Sequence, residues 1–146
     1  MKEEKIAVCI TAQTSSQRLI DYGAEIAEQY NSSLHILHVQ KGDSIFQNGE
    51  TLKLLTKLLS YGDRCGGIVH VLCDEDVPKC IAQFAKEEGI TKVIMGELPK
   101  VEKKHTTKVQ KETQFQKIIN ALPKDIEVII VKHQQIIQTE LKQKIG

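Results

Sequence analysis

Five short apolar runs punctuate the chain: KIAVCIT (Lys5–Thr11), LHILHV (Leu34–Val39), IVHVLC (Ile68–Cys73), KVIMG (Lys92–Gly96) and IEVIIVK (Ile126–Lys132). Within each run, apolar side chains follow one another rather than alternating strictly with polar ones or tracing a helical stripe. That pattern suits strands buried on both faces, which requires helices above and below the sheet. The stretches between the runs supply those helices. The order β-α-β-α-β-α-β-α-β demands right-handed crossovers and hence a mostly parallel sheet. The expected fold class is therefore α/β: one doubly wound, Rossmann-like, five-stranded sheet with helices on both faces.

Local signals place the helices. Thr14 and Gln17 have capping-box spacing, and Leu19, Gly23, Ile26, Ala27 and Tyr30 form one helical face ended by the Asn-Ser-Ser at 31–33. KGDSIFQNGE (Lys41–Glu50) reads as a loop. Leu52, Leu55, Leu58 and Leu59 mark a second helix, stopped near Cys65–Gly67. Asp76 caps a third helix, with Pro78 in its first turn, Ile81, Phe84 and Ala85 on its face, and Gly89 at its end. Phe115, Ile118, Ile119 and Leu122 define a fourth, ended by Pro123. Residues 1–133 form one domain in this reading. Residues 134–146 form a C-terminal extension, a short amphipathic helix with Ile137, Leu141 and Ile145 as its stripe.

Composition narrows the function classes. The 146 residues suit a single core. Aromatics are only 4% and Trp is absent, so aliphatic side chains must build that core. Net charge is +1, and of 20 basic residues only Arg18 and Arg64 are arginine, which argues against nucleic-acid binding. No apolar run approaches the roughly 18 residues of a membrane span. The acidic start MKEEKIAVCI is not read as a signal peptide. Cys9, Cys65, Cys73 and Cys80 contain no CxxC pair and are expected to be reduced thiols in the cytoplasm.

Ligands of such sheets sit beyond the carboxyl ends of the strands. Those ends are Thr11–Gln13, Val39–Lys41, Cys73–Glu75 and Gly96–Pro99. Beyond Gly96 runs a basic linker with Lys100, Lys103, Lys104, His105, Lys108 and Lys111, Thr106 and Thr107 among them; it is either a solvated loop or an anion clamp. His35 and His38, three apart on a strand, face opposite sides of the sheet and make no simple metal pair. Cys73 and Cys80 flank the turn after the third strand, as redox-active thiols or as plain packing. No Ser/His/Asp order, catalytic carboxylate pair or metal motif emerges, so the chain is not read as an enzyme.

KIAVCIT, LIDYGAEIAEQYNSSLHILHV, CIAQFAKEEGITKVIMGE and EVIIVK together resemble the universal stress protein family up to about His133. The VCI of the first strand and the LI early in the first helix are similar to the stress-protein-like segment of osmosensing potassium-system (Kdp) sensor kinases, which implies a free-standing relative of that segment. Family members that bind ATP carry G-x2-G-x9-G-[ST] after the fourth strand, where backbone donors cradle phosphates. Gly96 fills the first position. Pro99, Val109 and Gln110 occupy the others, and no acid stands after the first strand to hold a ribose. The resemblance thus implies the fold and a degenerate nucleotide loop. Some kinase-embedded relatives are associated with cyclic di-AMP through S-x-S and F-T-A-x-Y motifs. The corresponding Thr11-Ala12-Gln13 and Leu34–His38 keep only the Thr11 hydroxyl and leave His38 as the stacking candidate.

The resemblance also implies a homodimer through the fifth strand, with Val128 and Ile130 on one face and Ile129 and Val131 on the other. The sequence favours a stress-response or signalling module that contacts a protein partner and requires no cofactor. The alternative is a sensor of an adenine nucleotide (ATP, AMP or cyclic di-AMP) in a remodelled cleft, with Thr11, Gln13, Val39, Cys73, Gly96, Lys103, Lys104 and Thr106 as binding residues.

Overall fold

The computed structural model describes residues 3–42, 48–96 and 113–132. The elements are β1 (Lys5–Cys9), α1 (Ser16–Tyr30), β2 (Ser33–Gln40), α2 (Gly49–Arg64), β3 (Ile68–Cys73), α3 (Val77–Glu88), β4 (Lys92–Gly96), α4 (Gln114–Ala121) and β5 (Glu127–Val131). All five strands run parallel in the order β3-β2-β1-β4-β5. The chain winds outward from β1 to β3, then returns across β1 and continues through β4 to β5. The reversal falls between β1 and β4.

Each face of the sheet carries its own core. Ile6, Val8, Leu34, Ile36 and Ile94 meet the apolar stripes of α1 and α2. Ala7, Leu37, Val93 and Met95 meet α3 and α4 on the other face. Fully burying one such aliphatic side chain is worth about 1.5–3 kcal/mol. The centre of the sheet, where residues are covered on both sides, is therefore its most stable part. Gly23 lets α1 lie directly on β1: a Cβ there would overlap the Val8 side chain.

Three helix starts follow polar caps. Asn48 accepts from Glu50 N (3.0 Å) and Thr51 N (3.2 Å) ahead of α2. Asp76 accepts from Lys79 N (3.1 Å) ahead of α3, with Pro78 in the first turn as expected. Thr113 accepts from Gln116 N (3.0 Å) ahead of α4. At the other end of α3, Gly89 takes the left-handed conformation (φ 70°), which costs glycine little.

The expected capping box at Thr14–Gln17 is not what starts α1. Ser15 is the N-cap, its backbone is already helical, and its side chain makes no capping bond. The Thr14 carbonyl instead accepts from Gln17 N in a turn leading into the helix. Tyr30, assigned to the buried face of α1, is half exposed, with the Lys92 ammonium 4.9 Å from its ring centroid. Leu52 of α2 is likewise exposed, and the loop before that helix ends at Asn48 rather than at Glu50. The first strand stops at Cys9, two residues short of Thr11, because the backbone turns toward α1. The C-terminal extension lies outside the described residues. No helix among the described residues is long and apolar enough to cross a membrane.

Candidate functional site

A cavity of about 340 Å³ opens at the carboxyl end of the sheet, at the reversal between β1 and β4. That volume is in the range of small-molecule sites, and the position is where doubly wound sheets bind ligands. Its floor is apolar. Leu37 and Val39 of β2, Met95 of β4 and Val131 of β5 rise from the sheet. Leu19 of α1, Val77 and Ile81 of α3, and Ile118 of α4 close in from the two helical layers.

The rim is polar. Thr11 and Gln13 come from the β1–α1 turn, Gln40 and Lys41 from the end of β2, Arg18 from the first turn of α1, and Gln114 from the start of α4. These side chains are exposed or half-buried, while the floor residues are mostly buried. Among the described lining residues there are two cations, Arg18 and Lys41, and no carboxylate.

The β1–α1 turn is held from within. Ser16, 2% exposed, donates through Oγ to the Thr11 carbonyl (2.7 Å) and accepts from Thr11 N (3.3 Å). This closed ring fixes the turn that presents Thr11 and Gln13. Gln40 is positioned by His38. The His38 Nδ1 donates to the Ile10 carbonyl at 3.0 Å, and Nε2 meets the Gln40 side-chain amide at 3.0 Å. Both ring nitrogens are thus engaged and the ring is buried on the α1 face. His38 therefore supports the rim and offers no stacking platform to a ligand.

Of the residues singled out from sequence, Thr11, Gln13, Val39 and Gly96 converge on this cavity. Gly96 sits tightly under α1; a Cβ there would lie 3.2 Å from Leu19 Cδ1. Cys73 does not join them. It is the exposed last residue of β3, paired in register with Gln40, one strand beyond the cavity. Lys103, Lys104, Thr106 and the degenerate motif at Pro99, Val109 and Gln110 lie outside the described residues. The thiol that does line the cavity is Cys9, and burial pushes its pKa up to about 12, so it is a packing group rather than a nucleophile. Cys80 is also shifted upward, by burial first and then by Asp74 and Cys73, which disfavours thiolate chemistry there.

Arg18, Met95 and Phe115 line the cavity without having been singled out as site residues, and Val131, assigned from sequence to the dimer edge, lines it too. The signal that could have found Arg18 was its place in the first turn of the helix that follows the first strand. A second histidine contact also went unforeseen. His35 Nδ1 lies 3.0 Å from His70 Nε2 on β3, with the two rings stacked and Phe84 packed edge-on against both. This pair belongs to the α3 face, opposite His38, as the strand spacing requires. No group of three or more metal-ligating side chains occurs among the described residues.

No protein-family model matches the chain. Over 93 residues, 64% of this chain, it is 26% identical to the sensor protein KdpD of Mycobacterium tuberculosis, in two strains of that organism. The chain spans only 11% of those curated relatives. Solved structures are similar over most of its length. A universal stress protein from Archaeoglobus fulgidus superposes with a TM-score of 0.60 at 18% identity, covering 89% of this chain and 94% of that one. The structure of that organism's universal stress protein in complex with dAMP gives 0.60 at 17% identity, covering 89% and 98%. A universal stress protein in complex with cAMP gives 0.61 at 15% identity, covering 90% and 98%. The fold is that of universal stress proteins.

Proposed function

We propose that this chain is a universal-stress-protein-like regulatory module of stress response or signalling, cytoplasmic and non-catalytic, that takes an adenine nucleotide in the cavity at the carboxyl end of its sheet. The cavity carries the reading: it is preformed, it lies at the reversal point, and it combines an apolar floor suited to a flat base with an amide-and-cation rim suited to a phosphate. Structural neighbours solved with dAMP and cAMP support the ligand class. The module acts as a homodimer through β5, the sheet edge where Val128, Ile129, Ile130 and Val131 stand.

The sequence beyond β4 refines the ligand. Pro99 has no N–H to donate, and Val109 and Gln110 replace the glycine and hydroxyl of the phosphate motif. Each charge-assisted hydrogen bond forgone is worth about 1.5–3 kcal/mol, so a β- and γ-phosphate gain little. AMP is expected to bind at least as tightly as ATP, and magnesium to leave its affinity unchanged. Calorimetric titration of the purified chain with each, alongside mass spectrometry of small molecules it releases, tests this. ATP with magnesium binding far more tightly than AMP would restore a working phosphate loop. Absence of binding by either nucleotide would leave the ligand-free interaction module.

A further inference from the structure

We propose that the anionic group of the ligand is held by Arg18 and Lys41, on the β1–β2 side of the cavity, and not by the segment that follows β4. This rests on the proposed nucleotide reading and assigns its charged subsite.

The placement of charge around the cavity supports the assignment. Arg18 enters from the first turn of α1, where its backbone N–H is bound by the Ser15 carbonyl at 3.2 Å. Lys41 follows directly on the last residue of β2. β1 and β2 are neighbours, with Cys9 in register with Leu37, so the chain extends beyond the sheet at Thr11 and at Lys41 on adjacent paths. Both cations thus line the cavity from the β1–β2 side, Arg18 from the helix that follows β1 and Lys41 from the end of β2. Gln13 and Gln40 line the cavity from the β1–α1 turn and the end of β2. Arginine can grip a phosphate through two parallel N–H bonds, while lysine adds a point charge.

The neighbouring carboxylates lie outside the described cavity lining, whose charged members are Arg18 and Lys41. Asp74 accepts from Asp76 N (2.9 Å) and Asp76 caps α3, so both serve the turn after β3. Asp21 is the hydrogen-bond acceptor of Tyr61, between α1 and α2. Glu75 lies near Gly42, where its Oε2 would be 3.2 Å from an added Cβ, but it is outside the described cavity lining. Glu75 beside Gly42 offsets part of the charge at the end of β2, and the bidentate guanidinium makes Arg18 the stronger of the two anchors. Opposite, the β4 side presents Met95 and Gly96, and Pro99 follows without a donor. The base then rests over Val39 and Met95, with the charged end turned toward α1.

The test compares AMP with adenosine, which differ only in the anionic group, in the full chain at fixed ionic strength. AMP should bind about ten- to a hundredfold more tightly than adenosine, the range expected for charge-assisted bonds. Arg18→Gln should collapse most of that ratio and Lys41→Gln part of it, each lowering AMP affinity far more than adenosine affinity. Arg18→Lys should restore some of the preference. The double substitution Lys103→Ala, Lys104→Ala should leave the ratio intact. Equal binding of AMP and adenosine, a ratio that survives both rim substitutions, or a ratio lost in the Lys103/Lys104 variant would overturn the assignment while leaving the nucleotide reading in place. Failure of both compounds to bind removes that reading and the assignment with it. Should Arg18→Gln fail to fold by circular dichroism, the exposed Lys41 decides the matter alone.

Discussion

The two edge strands of the sheet are built from similar residues and treated in opposite ways. β3 (IVHVLC) leaves Ile68 52% and Val71 49% exposed. β5 (EVIIV) has its apolar side chains half-buried or buried, ending in Val131 at 3%. The difference lies in what covers them. On β5, Ile129 and Val131 pack into the α1–α2 core while Val128 and Ile130 pack into the α3–α4 core, so both faces are used. On β3, one face is closed mainly by the His35–His70–Phe84 stack and the other by Val69 against the α1–α2 core. Both edges carry backbone N–H and C=O groups that can template a further strand, so face coverage decides how much each strand contributes to the core rather than which edge pairs.

The largest effect should come from charging each edge in turn. Val131→Asp buries a carboxylate in the core and at the cavity floor, and should cost about 3–5 kcal/mol of folding stability. Val71→Asp, at a half-exposed site, should change stability by about 0.5 kcal/mol or less. Urea denaturation of the two variants measures the contrast. Comparable losses would mean that the edges are equally integral to the core.

The next test asks which edge pairs with a second copy. If β5 dimerises, its outward-facing amides should exchange more slowly as protein concentration rises, while those of β3 should not respond. Hydrogen exchange resolved by residue reads this directly. Concentration-dependent protection on β3 instead would transfer the interface to the other edge. A species that sediments as a monomer at every concentration would remove the dimer altogether.

These contrasts were unevenly legible in the sequence. Continuous apolar runs identified all five strands because burial on both faces leaves no room for alternation. The reversal at β1 and β4 could not be read from those runs, since strand order is set by packing between distant segments. Asp76, Pro78 and Gly89 marked α3 well because each acts through its own backbone. The hydroxyl-rich stretch before α1 misled, since Thr14, Ser15 and Ser16 all resemble caps and only the fold spends Ser16 on closing the turn. Thr11, Gln13, Val39 and Gly96 could be placed near a cleft by the carboxyl-end rule alone. Arg18, Met95, Phe115 and Val131 reach that cleft through the packing of four elements, which no local pattern encodes. Cys73 looked closer to the cleft than Cys9 because its turn is polar, yet it stands a strand too far out.

The smallest effect, and the one most specific to β3, is a dependence on pH. His35 titrates below its ordinary value of 6.5, because burial disfavours its charged form and a charge on His70 repels it; Glu88 opposes the shift and Lys5 adds slightly to it. The unfolded chain therefore binds this proton more readily than the folded one. Stability from neutral His35 is complete above about pH 6.5 and declines as pH falls from there through the lower folded value. The stack explains why: with Nδ1 of His35 facing Nε2 of His70, one nitrogen must accept, and protonating both rings sets two N–H groups against each other. Denaturation between about pH 5 and pH 7 should show stability rising with pH, with the slope reduced in His35→Leu and partly reduced in His70→Leu. The loosening should begin at β3 and leave β5 protected, since no histidine lies on β5. An unchanged slope in His35→Leu would assign the acid sensitivity to other groups and leave the pair as packing alone.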